Sequence, residues 1–305
     1  MSALRILHHG EFTKPSSFER WVDRALQEAG CLTYTMQEDP AMFSVDAVKA
    51  LTESVCGVDV LLCHKPSSAY EDQLRYLKRL YKFKIIMWTP DYRQNQSWDW
   101  YETVARVCDL TVATDGDTEC QFWDTRGIEN VTLRQACDPR LHFPVPRDHD
   151  YAVGFLGSLY TPFRQHVYDT LRKEFGASFL YHGKGNDVTG EVWGRDFQKA
   201  IASCQVIVGD NYVVAPGYWS DRVYLTTACG GFFLAPDDLA LRAEFGDAIG
   251  YYAPKDVQDL VKQIRVAVAD PEREARAKAA QVLTHSQHTY AQRIARLLEL
   301  IRGLK

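Results

Sequence analysis

Residues 217–236, GYWSDRVYLTTACGGFFLAP, read as four consecutive pieces: a loop, a helix opening near Ser220, a Gly-Gly turn and a buried strand. Ser220 can cap the free amide N–H groups of the first turn, and Gly230-Gly231 allows the reversal that follows. A helix leading through a glycine turn into a short, wholly apolar strand is the unit from which helix-covered parallel sheets are built. Working outward, CQVIVG (204–209) and GYYA (250–253) are strands of the same buried character. YAVGFLG (151–157) and SFLYHG (178–183) precede them, with helical stretches around 163–175, 193–203, 220–229 and 256–269 between the strands. The first half repeats the alternation with RILHH, VDVLLCH, KIIMWT, LTVAT and NVTL as strands. Between the first two of these, Phe18, Trp21, Val22, Ala25 and Leu26 fall at helical spacing, and Gly30 ends the helix.

Two doubly wound, Rossmann-like domains follow: an N-terminal domain over 1–145, a proline-rich linker (PRLHFPVPRDHD) from Pro139 to Asp150, and a C-terminal domain over 151–286. Residues 287–305 form a terminal helix whose stripe Tyr290, Ile294, Leu297, Leu298 and Ile301 needs a surface to cover. Such a pair of domains is expected to turn the carboxyl ends of both sheets toward a shared cleft. The chain has 305 residues, 46% hydrophobic and 25% charged, which excludes a disordered or fibrous protein. No segment approaches the roughly 20 apolar residues of a membrane span. The opening MSALRILHHGEF lacks a signal-peptide core, and the eight scattered cysteines form no C-x-x-C pair. Reduced thiols and a cytoplasmic location are expected. The net charge of -5 argues against a nucleic-acid partner, although a local basic groove would remain compatible with one.

The segment around Ser220 also carries a resemblance. S-D-R-V-Y, then A-C-G-G-F-F-L, then LALRAEF (239–245), then YYAPKDVQDLVKQIRVAVADPEREARAKA and HSQHTYAQRIARLL resemble, in that order, the C-terminal half of CgeB-type glycosyltransferases, the spore-maturation-protein group. V-G-F-L-G-S-L-Y (153–160) and DLTVATDGD…GIENVTLRQACDP extend the resemblance more weakly over most of the chain. It implies the GT-B fold: two Rossmann-like domains facing a cleft, with the C-terminal helix crossing back to the N-terminal domain. It further implies transfer of a hexosyl or pentosyl unit from a nucleotide-sugar donor, which is a substrate and not a cofactor, to an acceptor hydroxyl.

On this reading Arg222 meets the donor diphosphate from the first turn of its helix, beside Ser220. The loop GFLGSLYTPFR contributes Gly157, Ser158 and Arg164, because glycines let backbone N–H groups approach phosphate closely. His182, Lys184 and Asp210 end the next two strands and are donor-site candidates. One departure stands out. An acidic residue that binds donor hydroxyls commonly follows this arginine by three positions, and here the position is Leu225. A leucine cannot accept a hydrogen bond. Asp210 or Thr226 could take over, the donor could be held differently, or the protein could be a binding module without turnover.

The N-terminal domain should hold the acceptor and a base for its proton. Strand-end candidates are Asp91 first and Glu11 second as base, with His9, His64, Tyr92 and Arg93 as acceptor contacts. The aromatic-basic stretch WTPDYRQNQSWDWY (88–101) would stack a sugar or a base equally well. A glycan, another polymer, a metabolite or a hydroxylated DNA base of phage type all fit such a cleft. No metal site is expected. Asp115-Gly116-Asp117 follows a strand as a turn, and His285 and His288 lack a carboxylate or cysteine companion.

Overall fold

A computed structural model describes residues 3–14, 17–38, 45–64, 66, 70–89, 99–114, 116–184, 190–211 and 214–304. The chain divides into two compact units, Met1–Gln135 together with Tyr290–Lys305, and Ala136–Thr289.

The first unit carries six parallel strands: β1 (Arg5–Gly10), β2 (Leu32–Gln37), β3 (Val60–Cys63), β4 (Lys84–Thr89), β5 (Leu110–Ala113) and β6 (Asn130–Thr132). Their order is β2-β1-β3-β4-β5-β6, so the winding reverses between β1 and β3, where His9 stands opposite Cys63. β3, β4 and β5 are buried on both faces, which is why they read as continuous apolar runs. β2 forms the edge and alternates, leaving Leu32 and Tyr34 about half exposed. That alternation hid it among the apolar runs of the sequence.

Helix α1 (Phe18–Glu28) buries the five residues its spacing selected, and Gly30 behind it takes φ +83°, a conformation open to glycine. Four further helices, α2 (Val45–Ser54), α3 (Glu71–Tyr81), α4 (Asp99–Ala105) and α5 (Asp117–Asp124), complete the alternation.

The second unit holds β7 (Tyr151–Leu156), β8 (Phe179–His182), β9 (Cys204–Val208), β10 (Phe233–Pro236) and β11 (Gly250–Tyr252), all parallel, in the order β11-β10-β9-β7-β8. Its helices are α6 (Pro162–Phe175), α7 (Gly194–Ala202), α8 (Arg222–Ala228), α9 (Leu239–Phe245), α10 (Val257–Ala269) and α11 (Arg273–Gln287). Caps are written locally. Thr161 accepts the Arg164 N–H ahead of Pro162, Asp238 accepts from Ala240 and Leu241, and Asp256 from Asp259. Val153, Phe155, Val206, Val208 and Leu234 from the sheet meet Leu171, Leu260 and Ile264 from the helices in one apolar core.

Two boundaries differ from the sequence expectation. The division falls between Gln135 and Ala136, so the proline-rich stretch 139–150 is folded into the second unit. There His142 takes the Asp138 N–H on Nδ1 at 3.1 Å, and Arg147 pairs with Glu274. At the other end, α11 is a separate helix of the second unit, and Thr289 closes that unit in a parallel bridge to Cys137. The terminal helix α12 (Tyr290–Gly303) then returns to the first unit. Its stripe Tyr290, Ile294, Leu297, Leu298 and Ile301 is buried, with the Tyr290 ring 5.8 Å from Trp21 of α1.

Candidate functional site

In doubly wound sheets, ligands meet the carboxyl ends of strands near the point where the winding reverses. In the second unit that point lies between β7 and β9, and β7 ends at Leu156, with Gly157 and Ser158 opening the loop that follows. The loop after β7 is laced to the loop after β8: the Gly157 N–H donates to the His182 carbonyl and the Leu159 N–H to the Lys184 carbonyl, each at 2.8 Å. Gly183 makes this approach feasible. A Cβ there would lie 2.1 Å from the Gly157 carbonyl oxygen. Against these two loops opens a cavity of about 160 Å³, closed on its other sides by Glu191, Val192, Trp193 and Phe197 ahead of and within α7, and by Asp221, Arg222 and Leu225 of α8.

Arg222 is the cation of this cavity. Its guanidinium lies across the loop after β7, such that a Cβ on Gly157 would sit 3.2 Å from the guanidinium carbon. Its own hydrogen bond goes to Ser220 Oγ at 3.2 Å, and among the described residues no carboxylate stands within ion-pair distance of it. Burial, and then the charge of Arg164, lower its pKa from the usual arginine range. Asp221 and Asp210 act the other way but more weakly, so the guanidinium charge is only partly offset. His182 adds a second unsatisfied atom, since its Nδ1 is buried without a hydrogen-bond partner among the described residues. Of the eight expected donor-site residues, Gly157, Ser158, His182 and Arg222 line the cavity together.

The other four are used differently. Arg164 turns into the protein, where its Nε meets Asp210 Oδ2 at 3.2 Å, Nη2 the Asp210 carbonyl at 2.7 Å and Nη1 the Ser158 carbonyl at 3.2 Å. Asp210, 1% exposed, also takes Lys255 Nζ at 3.2 Å. Buried Arg164 and Asp210, with the exposed Lys255, tie the loop after β7 to the segment after β9. Lys184 is exposed and pairs with Glu191 Oε2 at 3.2 Å, a hydrogen bond that raises the lysine pKa. Ser220 precedes α8 by two residues and accepts the Arg222 N–H at a long 3.4 Å. Neither Asp210 nor the buried Thr226 lines the cavity, whereas Leu225 itself forms an apolar patch of the wall. The two carboxylates that do line it, Asp221 and Glu191, were missed in the sequence. Asp221 adjoins Arg222, and only the fold brings Glu191, 31 positions upstream, to the same wall.

In the first unit, Glu11 follows β1 and accepts from the Thr13 hydroxyl and N–H and from Gln37 Nε2. Those bonds from Thr13 lower its pKa to about 2. His9 is buried beside Met36, Leu61, Cys63 and Tyr70, and burial, then His8, lower its pKa to about 4. His64 is fully buried, with Nε2 2.7 Å from His8 Nε2 and Nδ1 3.1 Å from the Trp88 carbonyl oxygen. Asp91, Tyr92 and Arg93 lie outside the described residues, as does Asp115. All eight cysteines are free, and no cluster of three or more His, Cys, Asp or Glu that could hold a metal occurs among the described residues.

Two parallel-sheet α/β units, with the last helix returned to the first, define the class: the chain has the GT-B fold of glycosyltransferases. Residues 164–299 match the family model described as glycosyl transferase-like, which takes in α6 through most of α12 and the Arg222 side of the cavity. In structure the chain is similar to HepE of Anabaena, solved in complex with UDP and glucose, with a TM-score of 0.74 at 14% identity over 99% of this chain and 100% of that one. Sucrose-phosphate synthase from Thermosynechococcus elongatus follows with a TM-score of 0.69 at 12% identity, covering 99% of each chain. A glycosyltransferase from Rickettsia africae gives 0.68 at 9% identity over 100% of this chain and 99% of that one. No curated protein matches the sequence.

Proposed function

We propose that the protein is a glycosyltransferase that moves a sugar from a nucleotide-sugar donor, bound in the cavity of the second unit, to a hydroxyl of an acceptor bound by the first. The observation that carries this reading is Arg222, a part-buried guanidinium on the cavity wall with no carboxylate partner among the described residues. A cation that nearby carboxylates only partly offset gains from an anionic ligand, and a diphosphate offers two phosphoryl groups to a forked donor. HepE, the similar protein, was solved with UDP-glucose, which is a donor of this class.

In such a transfer the acceptor oxygen forms a bond to the anomeric carbon while the bond from that carbon to the diphosphate oxygen breaks. The electron pair leaves on the diphosphate and the acceptor proton passes to a base. Arg222 offsets the charge that grows on the leaving group. The pKa of about 2 makes Glu11 a poor proton acceptor. We therefore assign the base to Asp91, with Tyr92 and Arg93 beside it as acceptor contacts. The order of S-D-R-V-Y and A-C-G-G-F-F-L supports membership of the CgeB-type group, and the eight scattered cysteines without a C-x-x-C pair support a cytoplasmic setting. Because Arg222 supplies the positive charge at the leaving group, turnover should survive EDTA.

Titration calorimetry with UDP, GDP, CDP, ADP and TDP, followed by donor turnover on glycan, metabolite and hydroxymethylated-DNA acceptors, tests the proposal. Binding of none of the diphosphates would overturn it. Leu225 on the cavity wall favours one second reading, a nucleotide- or sugar-binding module without turnover; diphosphate binding with no hydrolysis or transfer from any donor sugar would select it.

A further inference from the structure

Strand β2 (Leu32–Gln37) ends the first sheet with its outer edge open. Only β1 lies beside it, and among the described residues no other backbone bonds to its Thr33 or Thr35. The remaining edge strands β6, β8 and β11 have three, four and three residues, whereas β2 has six. Short length, charge and proline are what keep an edge from pairing with another strand. From Cys31 to Gln37 the sequence CLTYTMQ carries neither charge nor proline.

Which groups face outward follows from the pairing with β1. The Leu32 N–H donates to the Leu4 carbonyl at 2.9 Å and the Glu38 N–H to the Gly10 carbonyl at 2.7 Å. Because backbone groups alternate with period two, Leu32, Tyr34 and Met36 bond toward β1, and Thr33 and Thr35 direct their N–H and C=O groups outward. Leu32 and Tyr34 are 52% and 51% exposed, and Thr35 is exposed as well. Around Tyr34 the stretch L-T-Y-T-M reads nearly the same in both directions.

An antiparallel strand of the same sequence, centred on Tyr34, therefore matches β2 at each position. Thr33 meets Thr35 of the other copy as a pair that exchanges both backbone hydrogen bonds, and the same pair recurs across the axis. Tyr34 meets Tyr34 as a non-hydrogen-bonded pair, where side chains approach most closely. Leu32 meets Met36, so the apolar side chains of both copies form one row on one face. A register centred on Thr35 would keep the backbone bonds but set Leu32 against the Glu38 carboxylate. One centred on Thr33 would set Thr35 against Cys31, whose N–H already donates to the Leu26 carbonyl.

We propose that two copies of this chain join through β2, edge to edge and antiparallel about Tyr34, in a two-fold dimer whose sheet runs through both first units. The occupant is a second copy because the symmetry of L-T-Y-T-M serves a partner that presents the same residues in reverse. The pairing closes both open edges at once. It is independent of the donor-site reading.

Sedimentation equilibrium of the full chain under reducing conditions tests the proposal. So short a ladder is small beside a standard interface, and a reversible dimer with a micromolar Kd is expected. Thr35→Pro removes an outward N–H from each copy and leaves the bonds to β1 in place. The loss of those two hydrogen bonds corresponds to about 5-fold to 150-fold in dimer Kd. Tyr34→Lys, which sets like charges opposite each other, should also weaken the dimer. Thermal melting should show both variants folded, since both positions face solvent. Oxidation supplies a test that needs neither variant: Tyr34→Cys should give a dimer whose disulfide maps to the substituted site, because paired Cα atoms about 4.5 Å apart lie within disulfide reach. Thr35→Cys should link far less, its two copies standing diagonally about 7 to 8 Å apart. A wild type that stays monomeric at millimolar concentration would overturn the proposal, as would assembly beyond the dimer. A dimer of wild-type strength in both Thr35→Pro and Tyr34→Lys would overturn it in favour of another surface, and linkage through Thr35→Cys but not Tyr34→Cys would overturn the Tyr34 axis.

Discussion

Replacing Arg222 by alanine should separate ligand binding from stability in a way that few substitutions here can. Its guanidinium is lowered in pKa by burial and by Arg164, and its only described side-chain partner is the Ser220 hydroxyl. Removing it therefore relieves a buried charge that Asp221 and Asp210 only partly offset, and the melting temperature of the free protein should hold or rise slightly. Binding should behave oppositely. A charge-assisted hydrogen bond contributes about 1.5 to 3 kcal/mol, so diphosphate affinity should fall about 10-fold to 150-fold. At a nucleotide concentration about 100 times the wild-type Kd, the ligand adds about 2.7 kcal/mol of stability to the wild type. At that same concentration a variant weakened about 100-fold gains only about 0.4 kcal/mol. For a unit of this size the missing 2 kcal/mol or so appears as about 5 to 9 °C of lost ligand-induced shift. Arg222→Lys should recover part of the affinity, because a point charge cannot reproduce the forked contact. Arg164→Ala supplies the contrast. It leaves Asp210 buried with Lys255 alone, and breaking such a pair costs about 3 to 5 kcal/mol in the free protein. Calorimetry and thermal melting with and without nucleotide read both quantities. An Arg222→Ala protein that melts lower when free yet binds diphosphate as tightly as the wild type would refute the reasoning and make Arg222 a structural residue.

Gly183→Ala should force the loops after β7 and β8 apart, because its Cβ would meet the Gly157 carbonyl oxygen at 2.1 Å; both melting temperature and diphosphate affinity should fall, whereas Gly190→Ala, with open space around it, should change neither. Deleting Tyr290–Lys305 should uncover Trp21 and the rest of the α1 face, giving aggregation or a sharply lower melting temperature; Leu297→Ala alone should cost about 2 to 5 kcal/mol in denaturant titration. Acid should destabilise the fold in a defined window. His9 and His142 both have pKa values lowered by burial to about 4 from 6.5, so the unfolded chain binds more protons than the folded one between those values. Stability is complete above pH 6.5 and declines as pH falls toward 4. The drop in melting temperature over that interval should be smaller in His9→Asn, and an unchanged slope would show that His9 is already protonated in the folded state.

The sequence by itself determined the strands that are buried on both faces, the α1 and α12 stripes and the presence of an arginine at the head of α8. Each of these is a local pattern: β3 reads as VLLC because both of its faces are covered, and Tyr290 to Ile301 recur at helical spacing because one face is. Edge strand β2 escaped because it is half exposed, and α11 because only Ala277, Ala280, Gln281 and Thr284 of its fifteen residues are buried. What the sequence could not assign was the partner of each charge. Arg164 and Arg222 both stand near strand ends among small polar residues, and spacing alone makes them equal candidates for a phosphate. Tertiary structure separates them: Asp210, 46 positions from Arg164, consumes one guanidinium, while the Gly157 backbone leaves the other facing the cavity. The same holds for the acids, since Leu225 lies in the motif whereas Glu191 reaches the wall from another loop. Charge compensation acts through space over a few ångströms, and a chain order that separates the partners by dozens of residues carries no signal of it.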